Sequence, residues 1–535
     1  MELATQRLFK DFKMPPSSNG NDVQFTMDGS QFFSLLDQML LQVQNAAPSD
    51  DTYVRMAFWA ASPNLRLNAL APMPHTTLEQ RLLAVGNAGH DVKVILWDPG
   101  LIEQWAHPEM GAGHHAASDA FRTALDGKAN GNISVYLERV NRYVPGASNH
   151  QKIVITSVNG QRRVLVGGLN LDDWYWDTPA HPGGMGGYGG SIHDTAIHVE
   201  GPATDAVEQE WVRRWERSGL PLRRNTAVQA LRPPIGGHSV NVTIATTNAE
   251  GWWRKADIQS LLCERIAAAN QYIYLENYAI TDPTIVAAIA TRLSQPAPPR
   301  VILLVPFPQG GVYSYLHYIT YAKLAFQSCT SVVVPGPQES LLPVSTRTIS
   351  RAGSSLWQLS QSYNAWSTLR SISSTFYNQW MENDRIQWRD ALTPGAGTQS
   401  CRLLDIIGFN GGIRMYSPLR VAAGGSSALY IHSKLALIDD EVAVIGSANF
   451  NYRSMVYDGE IAAFIRNPTR VQQIRNALFA HWNMGAPAAW DGTAQANRVA
   501  LGNHTLAPGT RVIPLDIGDF DKTVPDYKQL NFTMH

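Results

Sequence analysis

Asn149-His150-Gln151-Lys152 runs into Ile153-Val154-Ile155, and Ile431-His432-Ser433-Lys434 runs into Leu435-Ala436-Leu437-Ile438-Asp439. Each stretch sets a His and a Lys two residues apart at the head of a short apolar run. In extended chain alternate side chains share a face, so the His and Lys of each pair project together. A Gly-rich turn ending in Asn follows each: Gly167-Gly168-Leu169-Asn170 and Gly446-Ser447-Ala448-Asn449. A single His-x-Lys is commonplace. Two copies, each backed by a second apolar run and a Gly-x-x-Asn turn, are a specific signal.

Working outward, the flanks of the two stretches repeat as well. In the first half Phe32, Leu36, Met39, Leu40 and Val43 mark one helix face, Tyr53 to Ala60 reads as a strand, and Leu78, Leu82, Leu83 and Val85 mark a second helix. Asp91 to Trp97 is a nearly unbroken apolar run of the kind buried parallel strands show, and Ile133 to Leu137 is another strand. The second half repeats the order, with a helix over Ala256 to Ala269 and a strand over Gln271 to Asn277. A helix over Thr284 to Leu293 and strands at Val301 to Val305 and Ile413 to Tyr416 follow. Alternating helix and strand predicts an α/β fold with mostly parallel sheets flanked by helices, built as an internal duplication.

Tyr53 precedes His150 by 97 residues and Tyr272 precedes His432 by 160, a surplus of 63 in the second half. The expected division is an N-terminal lobe over 1–235 and a C-terminal lobe over 236–535. The surplus forms an insertion at about 331–398, and the joint falls in the Pro- and Gly-bearing stretch Pro221 to His238. Trp357, Trp366, Phe376, Tyr377, Trp380 and Trp388 punctuate that Ser-rich insertion. It reads either as helices packing their aromatics on the body or as a lid that meets lipid.

Composition narrows the function. Lys and Arg total 43 against 44 Asp and Glu, a net charge of −1, which argues against a protein living on nucleic acid. The three cysteines, Cys263, Cys329 and Cys401, are widely separated and form no metal or disulfide pattern. No run is long and apolar enough to span a bilayer, and Met1 to Gly20 lacks a signal-peptide core. These features predict a protein that is cytoplasmic in the producing cell or exported by a route that reads no N-terminal signal. The Gly-rich stretch 184–189 fits a dinucleotide fingerprint by letter, but no strand precedes it and no helix follows, so it reads as a loop. His114-His115 has no third metal ligand at useful spacing and reads as a solvated loop.

The residue types suit a phosphodiester. One His can attack phosphorus and the other can protonate the departing oxygen. Lys152 and Lys434 supply positive charge, and Asn170 and Asn449 supply amide donors, for the non-bridging oxygens. Such a design calls for no metal or other cofactor. Each His also needs an orienting carboxylate. Asp194, in the strand-like Ser191 to Val199, can do this for His150, and Glu460, in Asp458 to Phe464, can do it for His432.

These residues resemble the phospholipase D superfamily, whose signature is a duplicated His-x-Lys-x4-Asp followed by Gly-Ser-x-Asn. The second copy matches in full through His432, Lys434, the supporting Asp439, Gly446, the supporting Ser447 and Asn449. The first departs twice, with Ser157 at the Asp position and Gly168 at the Ser position. Trp211 to Trp215, after Val199-Glu200-Gly201-Pro202, is also similar to lipase members. The resemblance runs over roughly Phe25 to Phe464, apart from the insertion. It implies two phospholipase D-like lobes with the active site in the cleft between them. It also implies His150 as nucleophile, forming a phosphohistidine, and His432 as the acid and then the base. Among branches the chain is similar to bacterial lipases, including type VI secretion lipase effectors. That likeness implies a membrane phospholipid surface as substrate and leaves room for an immunity or secretion partner. Four activities follow as alternatives. The first is a phospholipase releasing phosphatidic acid; a nuclease and a phosphatidyl-transferase share its chemistry, and Ser157 raises the fourth, a non-catalytic relic.

Overall fold

The computed structural model describes residues 15–70, 74–99, 108–139, 148–182, 191–222, 240–250, 253–293, 295–308, 412–422, 425–456, 458–515 and 519. The expected insertion at 331–398, the Gly-rich stretch 184–189 and most of the expected joint lie outside them.

The element order of the first half is β1 (Ser17–Met27), α1 (Asp28–Gln44), β2 (Tyr53–Phe58), α2 (Leu78–Asn87), β3 (Asp91–Trp97), α3 (Pro108–Leu125), β4 (Ile133–Glu138), β5 (Ile153–Val158), β6 (Gln161–Gly167), β7 (Ile192–His193), β8 (Thr195–Glu200) and α4 (Ala203–Trp215). The second half runs β9 (Val240–Glu250), β10 (Trp253–Ala256), α5 (Asp257–Ala268), β11 (Tyr272–Glu276), α6 (Pro283–Leu293), β12 (Arg300–Leu304), β13 (Ile413–Ala422), β14 (Gly425–Ala428), β15 (Tyr430–Ile431), β16 (Leu435–Ile438), β17 (Val442–Gly446), α7 (Tyr452–Val456), β18 (Glu460–Arg466), α8 (Pro468–His481), α9 (Trp490–Gly502) and β19 (Gly509–Pro514).

The strand order of the first sheet is β4-β3-β2-β5-β6-β8-β1. The second repeats it as β13-β12-β11-β16-β17-β18-β9, with β14 and β19 added to β13. The sheets meet where β1 also pairs with β9, across a register shift between Ser18 and Asn21. Gly20 sits in that irregularity with φ +82°, a conformation a side chain disfavours.

The α/β expectation and the duplication hold, with one correction. Each sheet is mixed, parallel only across its three outer strands, β2-β3-β4 and β11-β12-β13. The reason lies in the connections. Helices α2 and α3 carry the chain between β2, β3 and β4, as parallel neighbours require, whereas β5 and β6 are joined by the tight turn Asn159-Gly160 and must run antiparallel. Asp91-Val-Lys-Val-Ile-Leu-Trp97 is buried at every position, as its apolar run requires.

Three apolar cores stack across the molecule. One joins α1 and α2 to the first sheet, with Phe33, Leu36, Leu82 and Val94 fully buried. One joins α5 and α6 to the second, through Leu262, Ile266, Ile289 and Leu303. The middle core takes residues of both sheets together with α4 and α8, including Trp211, Trp215, Leu478 and Trp482. Burial of this many large side chains, each worth about 1.5–3 kcal/mol, locks the halves into one body and sets the ends of β5 and β16 face to face.

Candidate active site

His150 and Lys152 lie just ahead of β5, and His432 and Lys434 just ahead of β16. Both stretches are drawn across the boundary between the sheets. Asn149 bridges Gly459, whose carbonyl accepts the His150 N–H at 2.9 Å and whose N–H donates to Ser148 O at 2.8 Å. On the other side β15 pairs with β7, and the His193 carbonyl accepts the His432 N–H at 2.8 Å. Each His-bearing stretch is therefore laid against the acid-bearing strand of the opposite half.

This exchange corrects the expected pairing. His150 Nδ1 lies 2.9 Å from Glu460 Oε1, and His432 Nδ1 lies 2.6 Å from Asp194 Oδ2. The acids pair with the histidines crosswise and not within a copy. Reading each copy as a self-contained unit misses this, because the interstrand contacts at 149/459 and 192/430 join residues some 240 to 310 positions apart. With Nδ1 of each ring turned to a carboxylate, Nε2 is the nitrogen left for chemistry.

The setting is dry. Lys152, Lys434, Asn170, Asn449, Asp194, Ser447 and Glu460 are all buried, and His432 is nearly so. Lys152 donates to the His150 carbonyl at 2.8 Å, and Lys434 donates to the carbonyl of His432, so each ammonium is tied to the backbone of its own motif. Burial lowers Lys152 to about 7, with Lys434 adding to the effect, and burial lowers Lys434 to about 8. Burial, then the two ammonium groups, holds both imidazoles well below their ordinary value. Burial raises Asp194 to about 6 and Glu460 to about 7, against the pull of the lysines. Two lysines, two histidines and two carboxylates with displaced pKa values around one cleft are the electrostatic mark of a reactive site.

The Gly-x-x-Asn turns explain one departure of the first copy. In the second, Ser447 Oγ donates to Glu460 Oε2 at 2.5 Å. In the first, a Cβ on Gly168 would meet Asp194 Oδ1 at 2.1 Å. The Asp194 carboxylate fills the volume that a Ser side chain would need, and its Oδ1 takes a backbone donor, Thr195 N–H at 2.8 Å, in place of the hydroxyl. Gly168 with Asp194 and Ser447 with Glu460 are thus matched pairs.

The other departure sits at the far end of the strand. Asp439 accepts backbone N–H groups of Asn270, Gln271 and Tyr272 at 2.5, 2.7 and 2.8 Å, fastening the start of β11. Ser157, opposite Tyr53, instead donates to Asp51 O at 2.6 Å. Both residues hold the β2 or β11 entry turn, and neither is among the cleft residues.

Several cleft residues carry no spacing signal. Tyr175 Oη accepts from Asn170 Nδ2 at 2.8 Å and lies 3.4 Å from His432 Nε2. Tyr430 stacks on the His432 ring at 6.2 Å, Tyr278 lies 5.7 Å from the Lys434 ammonium, and Trp59 meets His150 edge-on at 6.1 Å. Trp59 stands six residues after the start of β2 and Tyr278 six after the start of β11, at the carboxyl ends of parallel strands where α/β sheets bind ligands. His114 is not in a solvated loop as its sequence context predicts. It lies in α3, packs at a tilt against the stacked rings of Trp59 and Trp97, and contacts Trp59 O through Nε2 at 2.6 Å.

Residues 402–482, which hold the second motif, match the family described as cardiolipin synthase, PLD-like domain. Cardiolipin synthase 1 of Staphylococcus aureus strain MRSA252 is 21% identical over 464 residues, 86% of this chain and 67% of that protein. Stronger local matches are short. Cardiolipin synthase 1 of Staphylococcus epidermidis is 46% identical over 49 residues, 9% of this chain and 10% of its own length. Phospholipase D zeta 2 of Arabidopsis thaliana is 42% identical over 55 residues, 10% of this chain and 5% of its own length. These local matches span a tenth or less of the relatives. A solved structure of phosphatidylserine synthase from Haemophilus influenzae superimposes with a TM-score of 0.46 at 12% identity, covering 99% of this chain and 96% of that one. The family match over residues 402–482 and these relatives support the resemblance to the phospholipase D superfamily. Among the described residues no helix is long and apolar enough to cross a membrane.

Proposed function

We propose that this chain is a phospholipase D-type phosphodiesterase that cleaves the head-group side of a glycerophospholipid. The observation that carries the reading is the crossed pair of imidazole–carboxylate couples, His150–Glu460 and His432–Asp194, closed around two buried lysines. His150 Nε2 attacks phosphorus and forms a P–N bond while the P–O bond to the head-group alcohol breaks. His432 gives that oxygen its proton. Water then attacks the phosphohistidine, His432 takes its proton, and the P–N bond breaks to release phosphatidic acid. The phosphodiester anion offsets the charge of Lys152 and Lys434, which restores to His432 the proton affinity that those ammonium groups suppress in the free protein. Glu460 and Asp194 fix the tautomers and stabilise each imidazolium as it forms.

The acceptor defines a second reading. An alcohol in place of water makes the same intermediate serve phosphatidyl transfer, and the long match to a cardiolipin synthase favours keeping it. The near-neutral charge supports lipid over nucleic acid. We place the site of action at a phospholipid surface; delivery as an antibacterial effector would suit the lipase likeness of the flanks.

The test is head-group release from phosphatidylcholine and phosphatidylethanolamine vesicles by the wild type and by His150→Ala, with glycerol added in parallel and plasmid DNA as a separate substrate. Phosphatidic acid from the wild type alone supports the hydrolase. A phosphatidylglycerol product that dominates when glycerol is present moves the assignment to transferase, and cleavage of DNA alone overturns the lipid reading.

A further inference from the structure

Behind the acid that holds His432, four side chains unused by the proposed reaction converge. Asp28 opens α1, His181 lies in the segment after Trp176, His193 belongs to β7, and His481 closes α8. One potential ligand atom from each lies within 4.8 Å of all the others. Asp28, His181 and His193 have no more than 1% of their surface exposed.

We infer that Asp28, His181, His193 and His481 form a buried, four-ligand site for a divalent transition metal of the zinc class, which ties the two halves of the molecule together behind Asp194. This inference does not depend on the substrate assignment.

Three observations carry it. First, the donor set is three imidazoles and one carboxylate, a complete complement for tetrahedral zinc with no position left for water, as in structural sites. Second, the outer shell is arranged for ligation. Asp177 Oδ2 lies 2.8 Å from His181 Nδ1 and turns Nε2 inward, while Glu276 Oε1 lies 3.1 Å from His193 Nε2 and leaves Nδ1 facing Asp28 Oδ1 at 2.9 Å. Carboxylates on the outward nitrogens of metal-binding histidines fix the tautomer and raise ligand basicity. Third, the protein groups satisfy one another only in part. Among the described residues Asp28 Oδ2 is buried without a hydrogen-bond partner, 3.8 Å from His181 Nε2, and neither ring nitrogen of His193, though 2.9 and 3.1 Å from carboxylate oxygens, makes a hydrogen bond of proper geometry. His181 Nε2 and His481 Nε2 face each other at 3.1 Å. Three carboxylates, Asp28, Asp177 and Glu276, crowd three imidazoles here, so a dication also offsets buried negative charge. The competing account is a network of protons, with His193 as an imidazolium between Asp28 and Glu276. It leaves Asp28 Oδ2 without a donor.

The backbone is committed to the arrangement. Asp28 and His181 both adopt left-handed conformations, φ 61° and 46°, that turn their side chains inward. Asp28 Oδ1 also accepts the Asp194 N–H at 3.4 Å, and the His193 carbonyl accepts the His432 N–H. Metal at this point holds the segment 192–194 from behind, so its role is positioning and not contact with substrate.

The experiment uses the full chain without a histidine tag, produced in zinc-supplemented medium and dialysed without chelator. Elemental analysis should find stoichiometric zinc, and removing it with a strong chelator should lower the Tm by several degrees, reversed by zinc alone. His481→Gln and Asp28→Asn should each lose the bound zinc and the zinc-dependent rise in Tm. X-ray absorption of the wild-type zinc protein should show three imidazole nitrogens and one oxygen, and this measurement stands even if a variant does not fold. The inference is overturned by substoichiometric metal with no Tm response to added zinc, by folded variants that retain the metal, or by a ligand set other than three imidazoles and an oxygen.

Discussion

The two copies of the motif are built to one plan but finished differently. In the second copy Glu460 reaches farther, Ser447 supports it with a hydroxyl, and Asp439 gathers three backbone N–H groups at the far end of the strand. In the first copy the shorter Asp194 fills the space where that hydroxyl would stand, Gly168 makes room for it, and Ser157 replaces the carboxylate with one hydroxyl-to-carbonyl bond. The difference teaches that the motif letters divide by role. His, Lys and Asn converge on the cleft and are kept in both copies. The final Asp fastens the fold and can change.

The largest expected effect tests what the copies share. His150→Ala and His432→Ala should each lower kcat/KM about 10³-fold or more, within the range general acid–base and nucleophilic groups command. A residual rate in either variant near wild type would break the equivalence of the two copies. Next in size are the crossed carboxylates. Glu460→Gln and Asp194→Asn should cost about 10²-fold or more, on the scale of a lost proton-transfer partner. Ring ¹⁵N signals should separate the pairings: Glu460→Gln moves those of His150 and leaves those of His432, and Asp194→Asn does the reverse. Movement of the other histidine in each case would restore the within-copy pairing.

Gly168→Ser should lower kcat by about tenfold or more, by displacing Asp194 and so His432. Adding Asp194→Glu to it copies the second half, and activity of the double variant should exceed that of the serine variant alone. The pH profile sharpens the comparison further. Below about 7 Glu460 and below about 6 Asp194 take up protons and stop supporting the imidazolium of His150 and of His432, and above about 7 to 8 Lys152 and then Lys434 lose their charge. The expected kcat/KM curve is therefore a bell with its maximum between those limits, measured with a zwitterionic substrate. At the small end, Asp439→Ser should cost about 1–3 kcal/mol of stability by stranding backbone donors, read from denaturant unfolding, while Ser157→Asp should change activity by less than tenfold.

Much of this was legible in the residues. The nearly unbroken apolar run at Asp91–Trp97, the helix at Leu78–Asn87 marked by Leu78, Leu82, Leu83 and Val85, and the duplicated His-x-Lys stretches all have local causes, and they stand where local rules put them. Three features were not legible. The mixed sheet follows from connections that carry no helix. The crossing of acids between halves depends on strand pairs over 200 residues apart, which no local pattern records. The aromatic surround of Trp59, Tyr175, Tyr278 and Tyr430 is gathered from separate strand ends. Asp194 was found as an acid in a continuous strand. In the structure it is the break between β7 and β8, and that break aims it across the cleft.

The central claim is that His150, oriented by Glu460 of the other half, is the group that attacks phosphorus. The most direct measurement is rapid alkaline quench of a turnover with a short-chain phospholipid, followed by mass analysis of the histidine-bearing peptides, in wild type and in His432→Ala. The account predicts a phosphatidyl adduct on His150 that persists longer in the His432→Ala protein. An adduct on His432, or none on either histidine while head group is being released, would contradict it.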